Sequence, residues 1–156
     1  MTYMTSGSKK ERYQRIIIQL ESLIRDVKDP VSRMATINAL LYQKMQDFSW
    51  VGFYLLKEGE LTVGPYQGPL ACLVLQKHKG VCWTCISKGQ TILVPDVEQF
   101  PGHIACDSRT RSEIAIPFRN GKGEIIGVLD IDSRKKACFD NTDAACLEEI
   151  LARVWV

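Results

Sequence analysis

Cys106 stands in the stretch PGHIACD (residues 101–107), three residues after His103 and shortly before Arg109 and Arg111. Cationic neighbours lower the pKa of a thiol, and the thiolate is the form that attacks electrophiles. Cys82 lies in KGVCWTC (residues 79–85), at the start of an expected short helix, where exposed N–H groups and the helix dipole also favour a thiolate. Cys72 lies on the expected strand leading into that helix. Each of these cysteines also has a bland reading, because a small apolar side chain packs well anywhere. The pair Cys82 and Cys85 has the spacing of a thioredoxin-like redox centre, but that motif follows the first strand of a parallel fold, and the topology here differs. Cys82, Cys85, His103 and Cys106 also have spacings that four zinc ligands permit. On residue types alone, thiol redox chemistry and zinc binding both stay open. Cys85, Cys138 and Cys146 otherwise read as buried or incidental thiols, with Cys146 in the core.

The carboxylates carry a second signal. Asp130 and Asp132 alternate near the end of a strand in GVLDIDS (residues 127–133) and so point to one face. Glu113 opens the partner strand of the same hairpin. Three acids converging near a loop cysteine repel one another unless a cation, metal or ammonium, sits among them; solvated strand ends are the bland alternative. Trp50 and Tyr54 lie four apart on one strand, hence also on one face, as core residues or as walls of a small-ligand pocket.

The elements that must position these residues follow from hydrophobic periodicity. Apolar residues at helical spacing predict a helix over residues 9–27, and a second follows Asp29, an N-cap, and Pro30, running to about Met45. Residues 49–57 are rich in β-formers and end in a Glu58–Gly59 turn; strands over 61–66 and 71–76 follow. A short helix over 81–88 stops at Gly89, and a strand covers 91–94. Residues 96–111 read as a long loop, the kind that tends to be functional. Strands over 113–119 and 124–132 form a hairpin around residues 120–123, and a helix over 141–154 closes the chain. Hairpin connections dominate. The expected fold class is therefore α+β, with a mostly antiparallel six-stranded sheet and helices on one side.

Composition fits a globular chain: 46% hydrophobic and 24% charged residues over 156 positions, one ordinary domain, with about eight N-terminal residues as a tail. No apolar run approaches the roughly 18 residues of a membrane span, and the N-terminus lacks the apolar stretch of a secretory signal, so a cytoplasmic protein is expected. The net charge of +2 and the short, interrupted basic groups argue against a nucleic-acid partner.

The stretches WVGFY (50–54), GVC (80–82), VPDV (94–97), PGHIACD (101–107), SEI (112–114) and GVLDIDS (127–133) together resemble the free-methionine-(R)-sulfoxide reductases, which are GAF-domain enzymes. The likeness runs from about Phe48 to the end. It implies a GAF-like fold with N- and C-terminal helices packed on one side of the sheet and a loop-rich pocket on the other. It implies Cys106 as nucleophile, Cys72 as main resolving thiol and Cys82 as a second disulfide partner. It implies a substrate pocket of Trp50, Tyr54, Glu113, Asp130 and Asp132, in which the acids receive the substrate ammonium. Trp83 stands where the family has glycine, and Cys85 is not in the family's cysteine set. On this reading Glu113, its pKa raised by Asp130 and Asp132, protonates the departing oxygen, and no metal or organic cofactor is needed. A thioredoxin-like dithiol recycles the enzyme, and the resemblance suggests a homodimer. Two rival expectations are a non-catalytic GAF ligand sensor and a zinc-stabilised interaction module.

Overall fold

The computed structural model describes residues 7–103 and 106–154. Residues 1–6 of the expected tail, Ile104 and Ala105 of the PGHIACD stretch, and residues 155–156 lie outside the described residues. Ser8, assigned to the tail on sequence, instead caps the first helix. Its hydroxyl accepts from the Glu11 N–H at 3.2 Å, and the Glu11 carboxylate accepts from the Ser8 N–H at 3.3 Å.

Helix α1 (Lys9–Ile24) ends three residues short of the periodicity. The Arg33 guanidinium explains this: it donates to the carbonyls of Val27 and Ile24, which satisfies the end of α1 with a side chain. Helix α2 (Pro30–Lys44) starts as expected, with the Asp29 carboxylate accepting from the Ser32 N–H at 2.8 Å. Strands β1 (Trp50–Lys57) and β2 (Glu60–Gln67) form the first hairpin. Strand β3 is only Val74–Leu75, so Cys72 sits in the preceding loop and not on a strand. Pairing to β2 covers these two residues, extended by one hydrogen bond from the Val63 N–H to the Leu73 carbonyl at 2.8 Å, because Pro69 and the turn at Gly68 break the run.

Helix α3 (Gly80–Lys88) ends at Gly89, which adopts the left-handed conformation at φ 62°. Strand β4 (Ile92–Val94) leads into residues 96–111, which contain one turn of 3-10 helix over Val97–Gln99. Strands β5 (Ser112–Arg119) and β6 (Ile125–Ser133) form the second hairpin, and α4 (Asn141–Val154) follows. The six-stranded sheet has the order β3-β2-β1-β6-β5-β4 with every pairing antiparallel.

Strand alternation sorts the sheet residues into two cores. Val51, Phe53, Ile114, Ile116, Phe118, Leu129 and Ile131 pack against α1, α2 and α4 on one face. Full burial of such a side chain contributes about 1.5–3 kcal/mol. A buried polar contact ties α1 to α4: the Tyr13 hydroxyl donates to Asp143 Oδ1 at 2.6 Å, and Lys9 Nζ donates to Asp143 Oδ2 at 2.6 Å. Trp50, Tyr54, Ala115 and Val128 face the other way, toward α3 and the long loop. The same alternation sends Glu113, Asp130 and Asp132 to that second face.

Candidate active site

Register places the chemistry in two adjacent rows across three strands. Trp50 on β1 pairs with Asp132 on β6, which pairs with Glu113 on β5. In the next row Gly52 pairs with Asp130, which pairs with Ala115. The rows floor a recess of about 560 Å³, counting its open mouth, whose lining includes Trp50, Tyr54, Cys82, His103, Cys106, Glu113, Asp130 and Asp132. Every site residue expected on sequence lines it except Cys72, which reaches its edge through a disulfide to Cys106 with a Cα–Cα distance of 5.6 Å.

Gly52 sets the aromatic wall, and sequence reading passed over it. It shares a face with Trp50 and Tyr54, and a Cβ there would run into the Trp50 indole and Tyr66. Without that Cβ the indole lies flat along the strand, stacked on Tyr66 at 5.2 Å and on Tyr54 at 5.8 Å between ring centroids. Both aromatic heads then hold the Cys72 loop. Trp50 Nε1–H donates to the Pro69 carbonyl at 3.1 Å, and the Tyr54 hydroxyl donates to the Cys72 carbonyl at 2.9 Å. Tyr66 and Gly52 had one available signal: a glycine between two aromatics on a strand marks a place where something lies close over the backbone.

Two of the three acids are buried, and Asp132 is partly exposed at the recess. Glu113 and Asp130 are each 6% exposed, and one oxygen of Asp130 and one of Asp132 are buried with no hydrogen-bond partner among the described residues. Burial is the main reason that the Glu113 pKa is pushed up to about 8; the Asp132 charge adds to it, and the hydrogen bond with Asp130 opposes it. The sequence expectation named both aspartates as the cause. Burial dominates instead, and Asp130 acts in the opposite direction. Asp130 and Asp132 are themselves raised well above the usual carboxylate range, by burial first and then by the neighbouring negative charge. Three such groups do not all ionise together, so the cluster holds protons at neutral pH.

The thiols behave differently from expectation. Cys82 is buried at the start of α3, and burial, with the charges of Asp130 and Glu113 next, pushes its pKa well up. The helix N-terminus does not make it a thiolate, because desolvation and two acids outweigh a partial dipole charge. The cations expected beside Cys106 are engaged elsewhere. Arg109 pairs with Asp107 at 3.0 Å, and Arg111 donates to the Ser108 carbonyl at 3.0 Å. His103 Nε2 lies 3.1 Å from Glu113 Oε1, and burial lowers the His103 pKa. The possible zinc quartet is not assembled: Cys106 is bonded to Cys72, and among the described residues the groups clustered closely enough to hold an ion are Cys82, Glu113 and Asp130. Cys85 and Cys146 are buried, as expected.

An antiparallel sheet with helices α1, α2 and α4 on one face and an acidic recess on the other is the architecture of a GAF domain. The chain belongs to the GAF domain family, whose profile matches residues 34–156. Within it, the chain is closely related to the free methionine-R-sulfoxide reductases. It is 37% identical over 147 residues to the free methionine-R-sulfoxide reductase of Escherichia coli, covering 94% of this chain and 88% of that protein. The crystal structure of the Neisseria meningitidis free methionine-R-sulfoxide reductase, in complex with its substrate, superimposes with a TM-score of 0.91 at 39% identity, covering 99% of this chain and 93% of that one. The GAF domain-containing protein A of Dictyostelium discoideum is 44% identical over 149 residues, covering 95% of this chain and 93% of that protein.

Proposed function

We propose that this protein reduces free L-methionine-(R)-sulfoxide to methionine. The observation that carries this reading is the pair of unpartnered buried oxygens on Asp130 and Asp132, in a recess that also holds Cys106, Trp50 and a protonated Glu113. A buried carboxylate without a partner is costly, which keeps these aspartates protonated, and a substrate ammonium offsets that cost by pairing with their ionised form. A methionine within a polypeptide has no free ammonium, so the acids select the free amino acid. Lys79 and the first residues of α3, Gly80 and Val81, line the same recess and offer the α-carboxylate a cation and a helix N-terminus. The Trp50 indole receives the S-methyl group and discriminates between epimers.

The reaction starts from the reduced protein. The Cys106 thiolate attacks the sulfoxide sulfur while Glu113 delivers a proton to the oxygen. Oxygen passes to Cys106, methionine leaves, and Cys106 is a sulfenic acid. The thiol of Cys72 attacks this sulfur, expelling water and forming the Cys72–Cys106 disulfide. An external dithiol of the thioredoxin class then reduces the disulfide by exchange and is itself oxidised. Methionine sulfoxide and two thiol hydrogens have become methionine and water. Cys82 is a second partner for Cys106 in exchange, and the protein works in the cytoplasm, where such dithiols are kept reduced.

The test is an assay with separated epimers of free methionine sulfoxide and a dithiol reductant. The expected result is conversion of the R epimer only, with peptide-bound methionine sulfoxide untouched. Tight binding of the R epimer without turnover would instead make this protein a ligand sensor.

A further inference from the structure

We propose that His103 relays the proton lost by the Cys106 thiol to Glu113, so that nucleophile and acid are recharged together. His103 is three residues from Cys106 on the same loop, and both line the recess. Its Nε2 is within hydrogen-bond distance of Glu113 Oε1, at 3.1 Å. The contact is shielded, with side-chain exposures of 13% for His103 and 9% for Glu113. Imidazole is suited to this because its two nitrogens act in sequence: one takes a proton while the other gives one.

Cys106 Sγ–H loses its proton to His103 and becomes the attacking thiolate. Glu113 loses its proton to the sulfoxide oxygen and becomes a carboxylate. His103 then gives Nε2–H to Glu113, so one proton leaves a thiol, one reaches oxygen, and the imidazole ends neutral. Burial keeps His103 neutral beforehand, ready to accept. The other ionisable groups of the recess are Tyr54 on β1, Lys79 at the start of α3, Cys82 on α3, Glu113 on β5, Asp130 and Asp132 on β6, and Asp107 beside Cys106. None of these replaces the imidazole. The carboxylates and Cys82 are held protonated, and Asp107 is held ionised by Arg109.

This inference rests on the proposed reduction, and wild-type turnover of the R epimer is the control that separates the two. Pre-reduced wild type, His103→Gln and His103→Ala are mixed with free methionine-(R)-sulfoxide, and methionine is followed through one turnover across pH. Glutamine keeps a hydrogen bond to Glu113 but carries no proton across itself. Both variants should lose about 10²-fold in the single-turnover rate, the usual size of a proton-transfer contribution. Added imidazole should restore His103→Ala in proportion to its neutral form. A His103→Gln rate equal to wild type, or an imidazole-insensitive His103→Ala, would overturn the relay while leaving the reductase reading in place. A wild type that produces no methionine would overturn both.

Discussion

Glu113 and Asp132 face each other as cross-strand partners on β5 and β6, with Trp50 in the same row on β1. The Asp132 charge adds to burial in raising the proton affinity of Glu113. Asp132→Asn removes one of the charges that hold Glu113 up at about 8. The reduction step in wild type should slow as pH rises through about 8, where Glu113 loses its proton. Asp132→Asn should move that limb to lower pH. Single-turnover rates of both proteins between pH 6 and 9.5 (on the order of half-unit steps) measure it.

The same cluster limits stability. Between the ordinary carboxylate range and about 8, the folded protein binds more protons at Glu113 than the unfolded chain does. Stability therefore falls as pH rises through that window. Asp130→Asn is close in shape and removes a buried carboxyl whose proton affinity burial raises, so it should stabilise the fold. The gain should be larger at pH 8 than at pH 5, because each pH unit above the ordinary carboxylate range further favours the ionised unfolded chain over the proton-holding fold. Urea unfolding at the two pH values checks both statements, and the variant should lose turnover.

Cys106→Ser should abolish conversion of free methionine-(R)-sulfoxide. Cys72→Ser should release about one methionine per chain, as one nucleophile allows, and then stall with Cys106 as a sulfenic acid. Mass spectrometry after trapping with a sulfenic-acid reagent should find the adduct on Cys106.

Gly52→Ala places a methyl group where the Trp50 indole and Tyr66 lie. The stack must shift, and with it the Trp50 hydrogen bond to the Cys72 loop. Overpacking of this kind costs about 1–3 kcal/mol. The expected outcome is a raised KM for the R epimer and weaker discrimination between epimers, read from steady-state kinetics.

Tyr13→Phe removes the hydroxyl that donates to the fully buried Asp143. Loss of one partner from a buried charge costs about 1–3 kcal/mol. Guanidinium unfolding should show this loss with turnover unchanged, because the contact joins α1 to α4 on the face away from the recess.

Much of the architecture is written in local periodicity. The Asp29–Pro30 helix start, the Glu58–Gly59 turn, the glycine stop at Gly89 and the long β5–β6 hairpin depend on residues next to one another, so they are legible along the chain. Alternation also shows that Asp130 shares a face with Asp132, and Trp50 with Tyr54. Burial and proximity are not local. The length of β3 depends on what β2 has left to pair, and the end of α1 depends on a guanidinium from α2. Whether Cys82 is a thiolate is decided first by its burial and then by acids from β5 and β6 that fold down beside it. Which acid governs Glu113, and that His103 meets Glu113, follow from the register of three strands and the path of one loop. Electrostatic energy depends on distance and exclusion of water, and both are properties of the folded chain rather than of its residue order.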